Sequence, residues 1–109
     1  MERYNLNGTF FYCPVDLTLS VIGGRWKGLI IWNLKEQSKR FNELKRTLVT
    51  INDKMLSQSL KDLVEHGVVN RKSYNTIPPK VEYSLTKEGE KILPIMQQMN
   101  DWGKKYKAD

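Results

Sequence analysis

Lys54, Ser57, Gln58 and Lys61 follow one another at steps of three, one and three in the stretch INDKMLSQSLKDLVEHGVV, Ile51 to Val69. On an α-helix those steps gather all four on one face, opposite the apolar residues Leu56, Leu60, Leu63 and Val64. The chemistry open to such a face is hydrogen bonding to planar polar edges and to anions. A glutamine amide donates and accepts at once and can pair bidentately with adenine N6 and N7. A serine hydroxyl serves either a base or a phosphate, and a lysine reaches guanine or phosphate. Taken alone, this would be a solvated helix face, so its setting has to decide.

The setting supplies further cations. Arg71, Lys72 and Lys80 flank a connector with two prolines, Asn75-Thr76-Ile77-Pro78-Pro79-Lys80, and Glu82 is the nearby acid. Phosphate contact is the natural use of such charge, because it fixes register without reading sequence. Lys39 and Arg40 precede another helical segment and form a second candidate phosphate contact, with a solvated turn as the alternative.

Catalytic chemistry finds little support. Gly23 and Gly28 have the spacing of a phosphate-binding loop, but Leu29-Ile30 stand where that loop needs Lys and Ser or Thr. A helix break and a close helix contact explain the two glycines better. His66 is the single histidine and sits at a helix C-terminus, where a cation and a capping role are expected. Asp53, Asp62 and Glu65 share a helix with lysines and read as surface charge. No nucleophile, base and orienting group come together, so no enzyme, metal or cofactor is expected. Cys13 is the single cysteine: it can form no internal disulfide, and its thiol precedes Pro14 at a helix start, where the dipole favours thiolate. A buried, inert thiol is the alternative.

These residues need elements to hold them. Pro14 suits a first helical position, and Leu17, Leu19 and Ile22 lead to a stop at Gly23-Gly24. Arg25 to Lys35 places Trp26, Leu29, Ile30 and Leu34 at helical spacing toward a core, and Phe41, Leu44 and Leu48 mark a short third helix. After Val49-Thr50-Ile51, Asn52 caps the fourth helix, which Gly67 ends. The period then changes to two over Val69–Tyr74 and again over Val81–Leu85, giving two strands joined by the proline-containing loop. Thr86 caps a last helix, in which Ile92, Leu93, Ile95, Met96, Met99, Trp102 and Tyr106 spread beyond one core-facing stripe. The order predicts an α+β, mainly α chain: a winged helix-turn-helix with additional N- and C-terminal helices.

Composition agrees with one folded domain. The chain has 109 residues, 39% hydrophobic and 28% charged, and 18 Lys and Arg against 12 Asp and Glu give a formal charge of +6. That excess favours a polyanionic partner. The first residues, MERYNLNGTFFYCP, lack the basic and apolar regions of a signal peptide and the apolar length of a membrane span, so a cytoplasmic protein is expected.

Cys13-Pro14-Val15, Ile22-Gly23-Gly24-Arg25-Trp26, Arg40-Phe41-Asn42-Glu43-Leu44, Lys54-Met55-Leu56-Ser57-Gln58 and Pro78-Pro79-Lys80-Val81-Glu82-Tyr83-Ser84-Leu85-Thr86 together resemble the HxlR family of bacterial winged-helix transcription regulators. The resemblance runs from Cys13 almost to the C-terminus. It departs at Val49-Thr50-Ile51, which lacks the glycine often found there, and at Gln37-Ser38, where a glycine-containing turn is common. It implies a homodimer held by the terminal helices, paired recognition helices on a near-palindromic operator, and, in some members, a cysteine near the N-terminus that senses oxidants or electrophiles.

The expectation is therefore one domain, 1–109, with an arm at 1–12, a helix-turn-helix at 41–66, a wing at 69–85 and a dimerisation helix at 86–107. Double-stranded DNA would meet Lys54, Ser57, Gln58, Lys61, Arg71, Lys72, Lys80, Lys39 and Arg40. Phe10, Phe11, Met96, Met99, Trp102 and Tyr106 exceed the needs of a small core and are assigned to a two-fold interface. Cys13 is the candidate redox sensor. The rival reading is a basic adaptor that holds a partner chain, which would expose an apolar patch on the recognition face.

Overall fold

A computed structural model describes residues 3–108; Met1, Glu2 and Asp109 lie outside them. Its elements are β1 (Tyr4–Leu6), β2 (Thr9–Phe11), α1 (Pro14–Ile22), α2 (Lys27–Asn33), α3 (Phe41–Thr47), α4 (Asp53–Glu65), β3 (Val69–Tyr74), β4 (Lys80–Leu85) and α5 (Lys87–Lys104). The chain is α+β and mainly helical, as the sequence pattern predicts.

Local chemistry sets the helix starts. The Asn52 side-chain oxygen accepts the Met55 N–H at 2.8 Å and opens α4. The Thr86 hydroxyl oxygen accepts the Gly89 N–H at 3.0 Å and opens α5, while the same hydroxyl donates to the Gly67 carbonyl at 2.7 Å. A cap of this kind contributes about 1 kcal/mol. At α3 the Glu43 carboxylate accepts the Arg40 N–H at 2.9 Å.

Ile30, Ile31, Leu44, Leu56, Leu60, Leu63 and Val69 are fully buried, so α2, α3 and α4 share one core with the start of the wing. Leu29, expected to face the core, is exposed, and Ile31 is buried in its place. The wing is antiparallel, with Val69 opposite Leu85 and Tyr74 opposite Lys80. Lys39 adds one bridge to Tyr83 through two backbone hydrogen bonds, which fastens the wing to the segment before α3.

The N-terminal arm is more ordered than expected: β1 and β2 form a hairpin in which Leu6 faces Thr9. Asn7 and Gly8 take φ of 50° and 85°, as a two-residue hairpin turn demands. The Asn7 side-chain amide donates to the Glu65 carbonyl and ties the hairpin to the end of α4.

Met96 corrects the interface expected for α5. It is 7% exposed and packs against Gly28 of α2, so it belongs to the core of its own chain. The start of α5 lies closer still to the wing, and a Cβ built on Gly89 would stand 2.1 Å from the Val68 carbonyl oxygen. The nearest atoms are Val68 backbone rather than the end of a flexible side chain, so they cannot easily yield. Gly89→Ala should therefore cost about 3 kcal/mol of unfolding free energy in a urea titration, as overpacking does. An unchanged midpoint would show that the contact gives way.

Candidate nucleic-acid interface

Lys54, Ser57, Gln58 and Lys61 are all exposed on α4, on the side away from Leu56, Leu60 and Leu63. Among the described residues Lys54, Ser57 and Lys61 form no hydrogen bond or ion pair through their side chains. Gln58 donates from its amide nitrogen to Asp62 at 2.9 Å, one turn on. That bond leaves the amide oxygen and one N–H free and limits how the amide plane can turn. Lys45 of α3 pairs with Asp53, bracing the turn at the start of α4.

Between α4 and the wing lies an open cleft of about 360 Å³, lined by Ser57, Lys61, Glu65 and Arg71 over Leu60, Val64 and Tyr83. It brings together three of the residues expected from sequence. The strand register divides the wing cations: Arg71 stands opposite Tyr83, whereas Lys72 stands opposite Glu82 on the other face, next to the Tyr74–Lys80 pair. Lys72 and Lys80 approach the Tyr74 ring to 4.9 and 5.1 Å.

Lys80 is not a free cation, because its ammonium lies 3.1 Å from Glu82. The Ser38 hydroxyl donates to the same carboxylate at 2.6 Å. The Ser38 bond and then Lys80 hold the Glu82 carboxyl below the usual carboxylate range. Arg40 lines a separate groove of about 650 Å³ with Arg46 and Pro79, and Lys39 faces Asn33 and Glu36 elsewhere. Arg46 was not among the sequence candidates; it reads as one more outward residue of a short helix until the wing is placed beside it.

His66 departs from the cation expected at a helix end. Its Nδ1 is buried without a hydrogen-bond partner among the described residues, and burial, then the nearby Lys27 ammonium, lowers its pKa. A neutral imidazole at pH 7 follows. Among the described residues, no group of three or more His, Cys, Asp or Glu could hold a metal ion.

A second surface is apolar. Ile95, Met99 and Trp102 repeat at steps of four and three along α5, Tyr106 follows in the turn just after its end, and all are exposed. The adjoining stripe of the same helix holds Gly89, Ile92, Leu93 and Met96 against the core. Phe10, Tyr12, Val15 and Leu19 are exposed on the N-terminal elements, and Phe11 is half-buried. Cys13 is exposed and directly precedes α1. Tyr12, Val15, Leu19 and Ile95 were not among the expected interface residues; the last three lie on helices, where apolar residues at helical spacing read first as core.

The HxlR-like helix-turn-helix family model matches residues 21–109. The HTH-type transcriptional regulator YkvN of Bacillus subtilis is 49% identical over 96 residues, 88% of this chain and 81% of that protein. The solved structure of the redox regulator HypR in its oxidized form is 45% identical with a TM-score of 0.83, covering 89% of this chain and 99% of that one. Diamide-treated YodB from B. subtilis is 35% identical with a TM-score of 0.73, covering 91% and 99%.

Proposed function

The chain belongs to the HxlR-like helix-turn-helix family of transcriptional regulators, and from that membership we propose that it binds double-stranded DNA sequence-specifically as a homodimer, on a near-palindromic operator and without catalytic activity. The observation that carries the proposal is the α4 face, whose polar residues are exposed and mostly unengaged beside a cationic cleft. In this reading 41–66 is the helix-turn-helix, 69–85 the wing and 86–107 the dimerisation helix. Gln58 reads bases, Lys54, Ser57 and Lys61 meet bases or phosphate, and Arg71 and Lys72 anchor phosphates. Lys39, Arg40 and Lys80 take secondary places, the last because of Glu82. The adaptor reading would require an apolar centre on this face, where the side chains are polar. A transcriptional regulator of this kind would act in the cytoplasm; no helix among the described residues is long and apolar enough to cross a membrane.

Reader and anchor separate by experiment. Gln58→Ala should cost about 1 to 3 kcal/mol at its preferred base pair and relax specificity there. Arg71→Ala should weaken binding to all sequences alike. Equal sequence profiles for the two variants, measured on a panel of single-base operator changes, would contradict the division.

Regulation is assigned to Cys13. HypR is described as a redox regulator and YodB was treated with diamide, and Cys13 is exposed at a helix start beside the apolar N-terminal surface. With no second cysteine, oxidation ends in a disulfide to another chain or a small thiol, or in sulfenic acid. The added group would change the seating of the terminal elements and so the spacing of the two α4 helices. Diamide should shift operator affinity of the wild-type protein and leave Cys13→Ser unaffected; an equal response of both, or none in either, would dispose of the idea.

A further inference from the structure

The large apolar side chains exposed on this chain gather mainly on the terminal elements, but two stand at the leading end of α4. Val49, in the turn before α4, is 80% exposed, and Met55, in its first turn, is 44% exposed. Val49 also has a φ of 33°, in the left-handed region. The other described residues with positive φ are Asn7 and glycines, which tolerate that conformation, whereas a β-branched side chain crowds its own backbone there. Val49 thus bears backbone strain and yet buries little of its side chain. Glycine would serve the turn better, so the reason for valine is to be sought outside the chain.

The surroundings indicate what it meets. Val49 shares a concave surface with Asn42, Lys45 and Arg46. Met55 follows Lys54, and its backbone N–H is held by Asn52. Apolar groups set among cations suit a polyanion that carries an apolar group of its own. In the major groove of DNA only thymine offers one, its C5-methyl. Met55 lies in the first turn of α4, the end by which recognition helices meet base edges, and Val49 lies in the turn that leads from α3 into it.

We propose that Val49 and Met55 form an apolar lip at the leading end of α4 that reads thymine through its C5-methyl group, an inference that rests on the DNA-binding reading above. The test uses an operator duplex in which each thymine is replaced singly by uracil, which removes the methyl and leaves base pairing intact. Wild-type protein should lose roughly three- to fivefold in affinity at one or two thymines per half-site, the effect of one buried methyl group. Val49→Gly should bind the thymine and uracil duplexes equally at one of those positions while its melting temperature rises, because the strain is relieved. Val49→Asn, which tolerates the same backbone, should show the same loss of discrimination, and Met55→Ala should blunt the response at the remaining position. Wild-type indifference to every uracil, or Val49 variants that keep the full discrimination or weaken both duplexes alike, would overturn the proposal. Failure of the wild-type protein to bind any duplex would overturn the DNA-binding reading and this inference with it.

Discussion

Raising the salt concentration from 50 to 200 mM should weaken operator binding by about a thousandfold. The magnitude comes from counting the cations that meet phosphate, with Lys61 taken as a base contact. Lys54, Arg71 and Lys72 on each of two protomers give about six contacts, and at roughly −0.9 per contact the slope of log affinity against log salt is about −5. Lys80 is left out because Glu82 already neutralises it at 3.1 Å. Counting Lys80 as well, as the sequence alone suggests, would give a slope nearer −7. The structure therefore predicts a second effect: Glu82→Gln frees Lys80, steepens the slope toward −7 and tightens binding at low salt. Affinity that hardly changes with salt would contradict the cationic interface, and a wild-type slope already near −7 would contradict the role given to Glu82.

Trp102→Glu should convert a dimer into a monomer and cost about a hundredfold or more in operator affinity, because the second half-site then no longer binds as part of one molecule. Ile95, Met99, Trp102 and Tyr106 form a seam with the four-three-four spacing of paired helices. Trp102 and Tyr106 are 63% and 67% exposed, and their rings lie 5.1 Å apart. An exposed apolar seam of this size is what the proposed dimer would bury. Since Trp102 does not belong to the core, its replacement should leave the circular dichroism spectrum and melting temperature of the monomer fold almost unchanged. Light scattering at micromolar concentration checks the mass. A monomeric wild-type protein, or a Trp102→Glu variant that remains dimeric, would contradict the seam.

The helix-turn-helix and wing were legible because their signals are local. Asn52 and Thr86 cap helices through their own side chains, and the change of period after Gly67 marks the strands. The polar face of α4 was legible for the same reason: helical spacing alone puts Lys54, Gln58 and Lys61 together. The N-terminal hairpin was also written locally, in Asn7-Gly8 between alternating residues, but three-residue strands give a short pattern that a polar arm resembles. What could not be read depends on partners distant in sequence. Lys72 is set opposite Glu82, and Arg71 opposite Tyr83, only once the register is known, and Ser38 reaches Glu82 across 44 residues. Met96 and Met99 are chemically identical, and only the packing of α5 on Gly28 sends one to the core and the other to the surface. The missing glycine in Val49-Thr50-Ile51 hinted at strain in that turn, but only the backbone shows that Val49 is the residue that takes the left-handed conformation.

Selection of bound sequences from a random duplex pool tests the central claim most directly, because it asks about specificity and symmetry together. A dimer that presents two α4 helices should enrich an inverted repeat whose half-site centres lie about one helical turn, 10 to 10.5 base pairs, or a multiple of it apart. The same selection with Gln58→Ala should lose information at one position in each half-site and keep the spacing. Recovery of sequences no different from the starting pool, or of a single half-site without its inverted partner, would contradict a dimeric, sequence-reading regulator.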